Sequence, residues 1–440
     1  MQLNSVLLRS TVVAALGGLL FGFDTVVISG TTQALTDLFR LTPLALGLTV
    51  SSALGGTIIG SMLAGIPGEA YGRRDSLRIL AVLYLISAIG CGLAWNWTAL
   101  VIFRAVGGLA IGGSSVLGPM YIAEISPAKY RGRLVGLFQF NVVFGILLAY
   151  LSNYVIGTLH LGALEWRAKL GIAALPALFF LVMLFGIPRS PRWLVKKGRV
   201  AEAREVLRIT GEENYEQELR DIVASIDSDT SGDSLFSAKY GFPIFLAVSI
   251  AMFNQLSGIN AILYYLNQIF SQAGFNQVSS DLQAVAIGAT NLVFTLIAMT
   301  LIDRVGRKKL LLIGAVGTTL CLAGVSYVFL SNSHQSLLVV FLVVYIAFFA
   351  FSQGAVIWVY IGEVFPNRVR AAGQSLGSFT HWVMAGIISL GFPQVAVKSG
   401  GYPFVFFSAM MALQFFVVLF WYPETKGISL EDMQKKLGIA

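Results

Sequence analysis

Cysteine, histidine and charge are all scarce in this 440-residue chain. The two cysteines, Cys91 and Cys321, lie in apolar runs and exclude a disulfide framework. With three scattered histidines, His160, His334 and His381, they form no metal-ligand spacing, so no metal is expected. Only 12% of residues are charged, about half the share of a soluble domain. That excludes an ordinary water-soluble protein. No nucleophile–base pair and no nucleotide motif appears, so neither an enzyme nor a cofactor is expected. The Gly-rich stretch Gly107–Gly113 lies in an apolar run, without Lys-Ser/Thr or a preceding strand, and is no phosphate loop. A cleavable leader is not expected either. The N-terminal charge is Arg9 alone, and no small-x-small site follows before Asp37.

What is abundant is apolar sequence, 56% of the chain, together with 46 glycines that let membrane helices approach closely. Apolar runs of about 20 residues, enough to cross a bilayer, recur near 11–31, 46–67, 77–95, 99–120, 135–156 and 168–187, then near 242–267, 283–302, 309–330, 337–361, 372–396 and 403–422. The pattern predicts an all-α membrane protein of twelve transmembrane helices, in an N-terminal six-helix half (1–187) and a C-terminal one (241–422). A cytoplasmic helical linker (188–240) and a tail (423–440) complete the expected organisation. Within the linker, SDTSGDS at 228–234 reads as a flexible segment. The +8 net charge points to orientation rather than nucleic acid. One set of loops holds Arg73, Arg74, Arg78, Lys129, Arg131, Arg133, Arg304, Arg307, Lys308, Lys309, Arg368 and Arg370, while the other holds Arg40, Arg167, Lys169 and Lys398. The positive-inside rule therefore places both termini in the cytoplasm. Asn96-Trp97-Thr98 fits a glycosylation sequon, but in a very short loop.

The two halves echo each other. Glu69-Ala70-Tyr71-Gly72-Arg73-Arg74 follows span 2, and Asp303-Arg304-Val305-Gly306-Arg307-Lys308 follows span 8. Glu124, Pro127 and Arg131 follow span 4 at the spacing of Glu363, Pro366 and Arg370 after span 10. Basic, Pro-rich loops could match once by chance. Two independent matches at corresponding places point to a duplicated six-helix unit, a transporter architecture.

The chain resembles the sugar porter family of the major facilitator superfamily. The resemblance rests on the Gly-Arg-Arg and Gly-Arg-Lys loops and on Pro119-x-Tyr121-x-x-Glu124-x-x-Pro127 with Arg131-Gly132. It rests equally on Pro188-x-Ser190-Pro191-Arg192-Trp193-Leu194, Gln255-x-x-Gly258-Ile259-Asn260 and Pro423-Glu424-Thr425-Lys426-Gly427. These motifs run from the first half to the tail.

Asp24 is the costliest residue in the chain, since a carboxylate mid-span costs roughly 3 kcal/mol. Such a group needs a cavity and a partner, and Arg104 at the start of span 4 is the candidate. The resemblance implies a proton-coupling pair of Asp24 and Arg104, in which a changing distance alters proton affinity. A static ion pair that fixes packing is the alternative. Amides match sugar hydroxyls because they both donate and accept. The resemblance implies a sugar site lined by Gln139, Gln255, Asn260, Asn291, Gly354 and Trp358, with Phe21, Tyr264 and Trp382 as aromatic surface and Asn254 and His381 beside them. A single amide could equally be helix–helix glue, and a lone Trp an interfacial belt residue. Gln255 and Asn260 share a face only if the helix unwinds near Gly258.

Glu69, Arg73, Arg74, Glu124, Arg131, Arg192, Asp303, Arg307, Glu363 and Arg370 are, by resemblance, a cytoplasmic gate. Departures from the family pattern are Glu69 for Asp, Arg189 for Glu, Asn254 for Gln, and Ala355 for a Pro that would break span 10. Ile146, where a xylose-selective relative has Gln, tilts toward hexose. The expected function is import of a monosaccharide, glucose-like, with a proton by alternating access, through a site between the halves. The expected setting is a plasma-membrane monomer in the lipid bilayer. A uniporter and a non-transporting sensor are the alternatives.

Overall fold

The computed structural model describes residues 4–127, 129–212, 214–227, 234–366, 368–428 and 430–439. Among these residues every regular element is a helix. Twelve helical stretches are long and apolar enough to cross a membrane: Ser5–Phe39, Pro43–Ala70, Arg73–Gly92, Trp97–Ile125, Arg131–Thr158, Gly162–Gly186, Ala238–Tyr264, Gln277–Val305, Arg307–Ser331, Ser336–Val364, Arg370–Ala396 and Tyr402–Trp421, spans 1 to 12. The chain is a multi-pass membrane protein. Several spans begin earlier than hydropathy suggests because their caps are polar and lie outside the apolar run. Asn4 accepts from the Val6 amide at 2.8 Å, Asn96 from Ala99 at 2.8 Å and Asn276 from Ser279 at 2.9 Å. Asn96, the residue of the sequon, is thus a helix cap.

Five spans, 1, 2, 6, 7 and 10, are interrupted, and the breaks in 1, 7 and 10 bear on the site. Span 1 runs as an α-helix to Val27, tightens to a 3₁₀ turn over Ile28–Thr31 and resumes at Thr32. Side chains collect the carbonyls this leaves: Asn153 donates to Val27 O at 3.1 Å and Lys169 to Gly30 O at 3.2 Å. Span 7 stops at Leu256 and restarts at Ile259, with Gly258 left-handed at φ +82°. Span 10 breaks at Ser352. The missing Pro does not abolish that break, because Ser352 Oγ donates back to Phe348 O at 2.5 Å and Gly314 leaves room for the hydroxyl. Both expected discontinuities, near Gly258 and in span 10, are present.

The chain divides into two compact units, Met1–Thr31 with Ser52–Ser231, and Thr32–Ser51 with Gly232–Ala440. In the first unit, spans 1 and 5 touch backbone to backbone. A Cβ on Gly22 would lie 1.8 Å from Val142 O, and one on Gly145 2.1 Å from Leu19 O. Small residues make such approach possible where lipid offers no hydrophobic drive. Tyr84, Tyr121, Phe138 and Phe180 fill the core around them. Three short helices, Pro191–Lys196, Val200–Ile209 and Tyr215–Asp227, follow span 6 and bury Trp193, Leu194, Val206, Leu207, Leu219 and Ile222 together. The SDTSGDS segment lies, except for Ser234, outside the described residues. The second unit packs around Tyr360, Phe365 and Tyr422. Spans 1 and 7 are the most enclosed by protein, at 67% and 61%, whereas spans 8 and 12 are each 28% enclosed. Their outward apolar faces, with Phe420 and Trp421 exposed on span 12, suit hydrocarbon rather than water.

Candidate functional site

In the first unit Asp24 is half-buried on span 1. Its Oδ2 is enclosed and accepts no hydrogen bond from the described residues. Arg104, buried on span 4, acts on it electrostatically. One turn along span 4, Gly107 keeps the space beside the carboxylate open, since a Cβ there would lie 3.3 Å from Asp24 Oδ2 and 2.4 Å from Ser87 Oγ. The structure therefore brings Asp24 and Arg104 into one electrostatic neighbourhood. Phe21 is half-buried against the core of this unit, Gln139 is exposed on span 5, and Ile146 is buried.

In the second unit the end of span 7 carries a polar cluster. Gln255 Nε2 donates to a ring nitrogen of His381, 3.1 Å from Nε2 and 3.3 Å from Nδ1, and lies 3.1 Å from Asn254 Oδ1. Its own Oε1 has no hydrogen-bond partner among the described residues. Trp358 and Trp382 flank the imidazole with ring centroids at 5.1 and 4.8 Å. Asn254 is buried and donates to Gln353 O at 3.4 Å, so it supports the cluster from behind. Behind it Gln353 donates to Gln414 Oε1 at 2.8 Å. The structure thus gathers Asn254, Gln255, Trp358, His381 and Trp382. Asn260, Asn291 and Gly354 stand outside these contacts, half-buried, buried and half-buried respectively, and Tyr264 is buried. Gln353 and Gln414 were missed by sequence reasoning, although an amide inside an apolar run was the signal that singled out Gln255.

The repeated charged motifs build two matching knots. Arg73 pairs with Glu124 at 3.0 Å and with Glu69 at 3.0 Å, and donates to Gly68 O at 2.8 Å. Arg307 pairs with Glu363 at 2.8 Å and Asp303 at 3.1 Å, and donates to Ile302 O at 3.1 Å. A hydroxyl closes each knot: Ser190 donates to Glu124, and Thr425 to Glu363 at 2.6 Å. Arg131 and Arg370 do not pair with the glutamates seven residues before them. They turn to backbone, Ala123 O at 3.0 Å and Phe365 O at 3.4 Å, and Arg131 reaches Glu218 at 4.0 Å. Arg192 is exposed and outside the knot; Lys196 reaches Glu69 instead, at 2.5 Å. Arg74 pairs with Asp75 rather than a distant acid.

The knots differ in the sign of charge at one position, Arg189 against Glu424. Beyond span 12, burial raises the Glu424 carboxyl, but the amides of Lys426, Arg307, Lys308 and Thr425 outweigh this and hold it below the usual carboxylate range. Two of those amides, Arg307 and Lys308 at 2.9 and 3.1 Å, open span 9. The corresponding place in the first unit is Arg189, which pairs with Asp75 at 2.9 Å.

A twelve-span helical chain with duplicated charged knots is a carrier by architecture. The family described as "Sugar (and other) transporter" matches residues 10–437. The D-xylose-proton symporter of Escherichia coli (strain K12) is 36% identical over 472 residues, covering 98% of this chain and 96% of the relative. The glucose transport protein of Synechocystis sp. is 36% identical over 446 residues, covering 96% and 95%. The solved xylose transporter of E. coli, in a partially occluded inward-open conformation, has a TM-score of 0.87 at 34% identity, covering 97% of this chain and 100% of that one. This chain belongs to the sugar porter family of the major facilitator superfamily, whose members are transporters rather than enzymes.

Proposed function

We propose that the chain imports a monosaccharide together with a proton by alternating access. The observation that carries this reading is Asp24. It is a carboxylate inside a membrane span, with one oxygen enclosed and accepting no hydrogen bond from the described residues, under the electrostatic influence of Arg104. A carboxylate satisfied by several donors would hold its ionised form through any cycle. One that depends chiefly on a nearby guanidinium gains or loses a proton when that distance changes. The expected outcome for Asp24→Asn in proteoliposomes is loss of gradient-driven accumulation with sugar counterflow retained. Intact accumulation in that variant would sink the coupling reading and favour a uniporter.

Gln255, His381, Trp358 and Trp382 supply the chemistry a sugar needs, polar edges for hydroxyls and ring faces for C–H surfaces. Gln139, Asn260, Asn291, Gly354, Phe21 and Tyr264 complete the proposed site, with Asn254 in support. A hexose is the favoured substrate because Ile146 stands where, by the family resemblance, a xylose-selective relative has Gln. Similarity to the D-xylose-proton symporter supports a pentose as the second reading. Competition of labelled glucose uptake by xylose separates the two. We further propose a monomer in the plasma membrane with both termini cytoplasmic, following the distribution of Arg and Lys, and a gate built from the two charged knots.

A further inference from the structure

Arg189 stands where the matching knot of the second unit has Glu424, and its surroundings carry an excess of positive charge. Arg74 Nε, Arg78 Nη1 and Arg189 Nη2 converge on the single carboxylate of Asp75, at 3.0, 2.7 and 2.9 Å. The neighbouring acid, Glu202, is taken by Arg199 in a two-pronged pair at 2.6 Å on each prong. Four arginines against two carboxylates leave an excess of two positive charges. Of these residues, Arg74, Arg189, Arg199 and Glu202 border a cavity of about 340 Å³, with Pro188, Leu194 and Val206 completing its walls. The buried Nε–H of Arg189 has no acceptor among the described residues. Span 3 begins at Arg73, after Gly72, with no side-chain cap among the described residues, whereas Glu424 caps span 9.

We propose that this cavity binds a phosphate-bearing anion, either free phosphate or a lipid phosphate headgroup, held by Arg74 and Arg189. Guanidinium forks match phosphate oxygens in pairs. The bound anion supplies the negative charge that Glu424 provides by covalent attachment in the other unit. The site is distinct from the proposed sugar and proton sites and does not depend on them.

The test uses the full-length protein in neutral detergent and in vesicles. The unfolding midpoint is measured with inorganic phosphate against chloride at equal ionic strength, then in phosphatidylcholine vesicles with and without phosphatidylglycerol. Phosphate or phosphatidylglycerol is expected to raise the wild-type midpoint by several degrees through linkage. Arg189→Glu, which restores a carboxylate at this place, is expected to lose that rise. Arg189→Gln provides the same comparison without a charge reversal, should the first variant fold poorly. A rise with phosphate alone identifies a soluble anion, and a rise with phosphatidylglycerol alone identifies a headgroup; either supports the site. No rise in the wild type, or an equal rise in both variants, overturns it.

Discussion

A buried imidazole beside an amide is the most telling single residue of the second unit. His381 accepts from Gln255 while Trp358 and Trp382 pack on its ring, so it fixes the rotamer of the amide as well as offering its own edge. Removing it frees Gln255 and deletes one acceptor, a loss of about 1.4 kcal/mol for a neutral hydrogen bond. His381→Ala is therefore expected to raise the KM for sugar about tenfold, leaving the dependence on the proton gradient in place. An unchanged KM would remove His381 from the site. The sequence marked this position only by its neighbour Trp382, since a lone histidine in an apolar span has no spacing to interpret. Its tie to Gln255 is a contact across 126 positions, which no local pattern encodes.

At the scale of elements, the breaks in spans 1, 7 and 10 were unequally legible. Gly258 announced its break because glycine tolerates the left-handed region. Span 10 breaks at Ser352 without a proline, through a hydroxyl that takes its own helix's carbonyl, and that competition is invisible in hydropathy. Span 1 is interrupted because Asn153 and Lys169, far along the chain, receive its carbonyls. The break in span 7 is also sterically set. A Cβ on Gly258 would lie 2.3 Å from the Phe407 ring, in a backbone already at φ +82°. Gly258→Ala is expected to cost about 2 kcal/mol from the two strains together, read as a lower unfolding midpoint in detergent. Phe407→Leu added to that variant should recover part of the loss. If the alanine variant unfolds at the wild-type temperature, the steric account fails.

Across the whole molecule, the duplicated motifs were legible as a repeat and the twelve spans as apolar runs. The pairing inside the knots was not. Spacing showed that Glu124 and Arg131 recur as Glu363 and Arg370 without assigning partners, and folding pairs each glutamate with the arginine of the other motif. The reason is geometric, because the Gly at φ +87° or +100° before each arginine turns its helix start toward the glutamate. Equivalent pairs should respond equally. Arg73→Gln and Arg307→Gln are each expected to destabilise by about 3 kcal/mol, since each leaves a glutamate unpaired at a largely enclosed site. Unfolding midpoints measured side by side check this, and a large drop in one variant alone would show that the knots are not equivalent. The closed seat of Lys169 has a mechanical consequence. Its ammonium, paired with Glu165 at 2.9 Å, is fully buried against Gly30 O. A bend of span 1 at its break must therefore drag the helix Glu165–Gly171 along, so the two segments work as a linked lever rather than as a free joint.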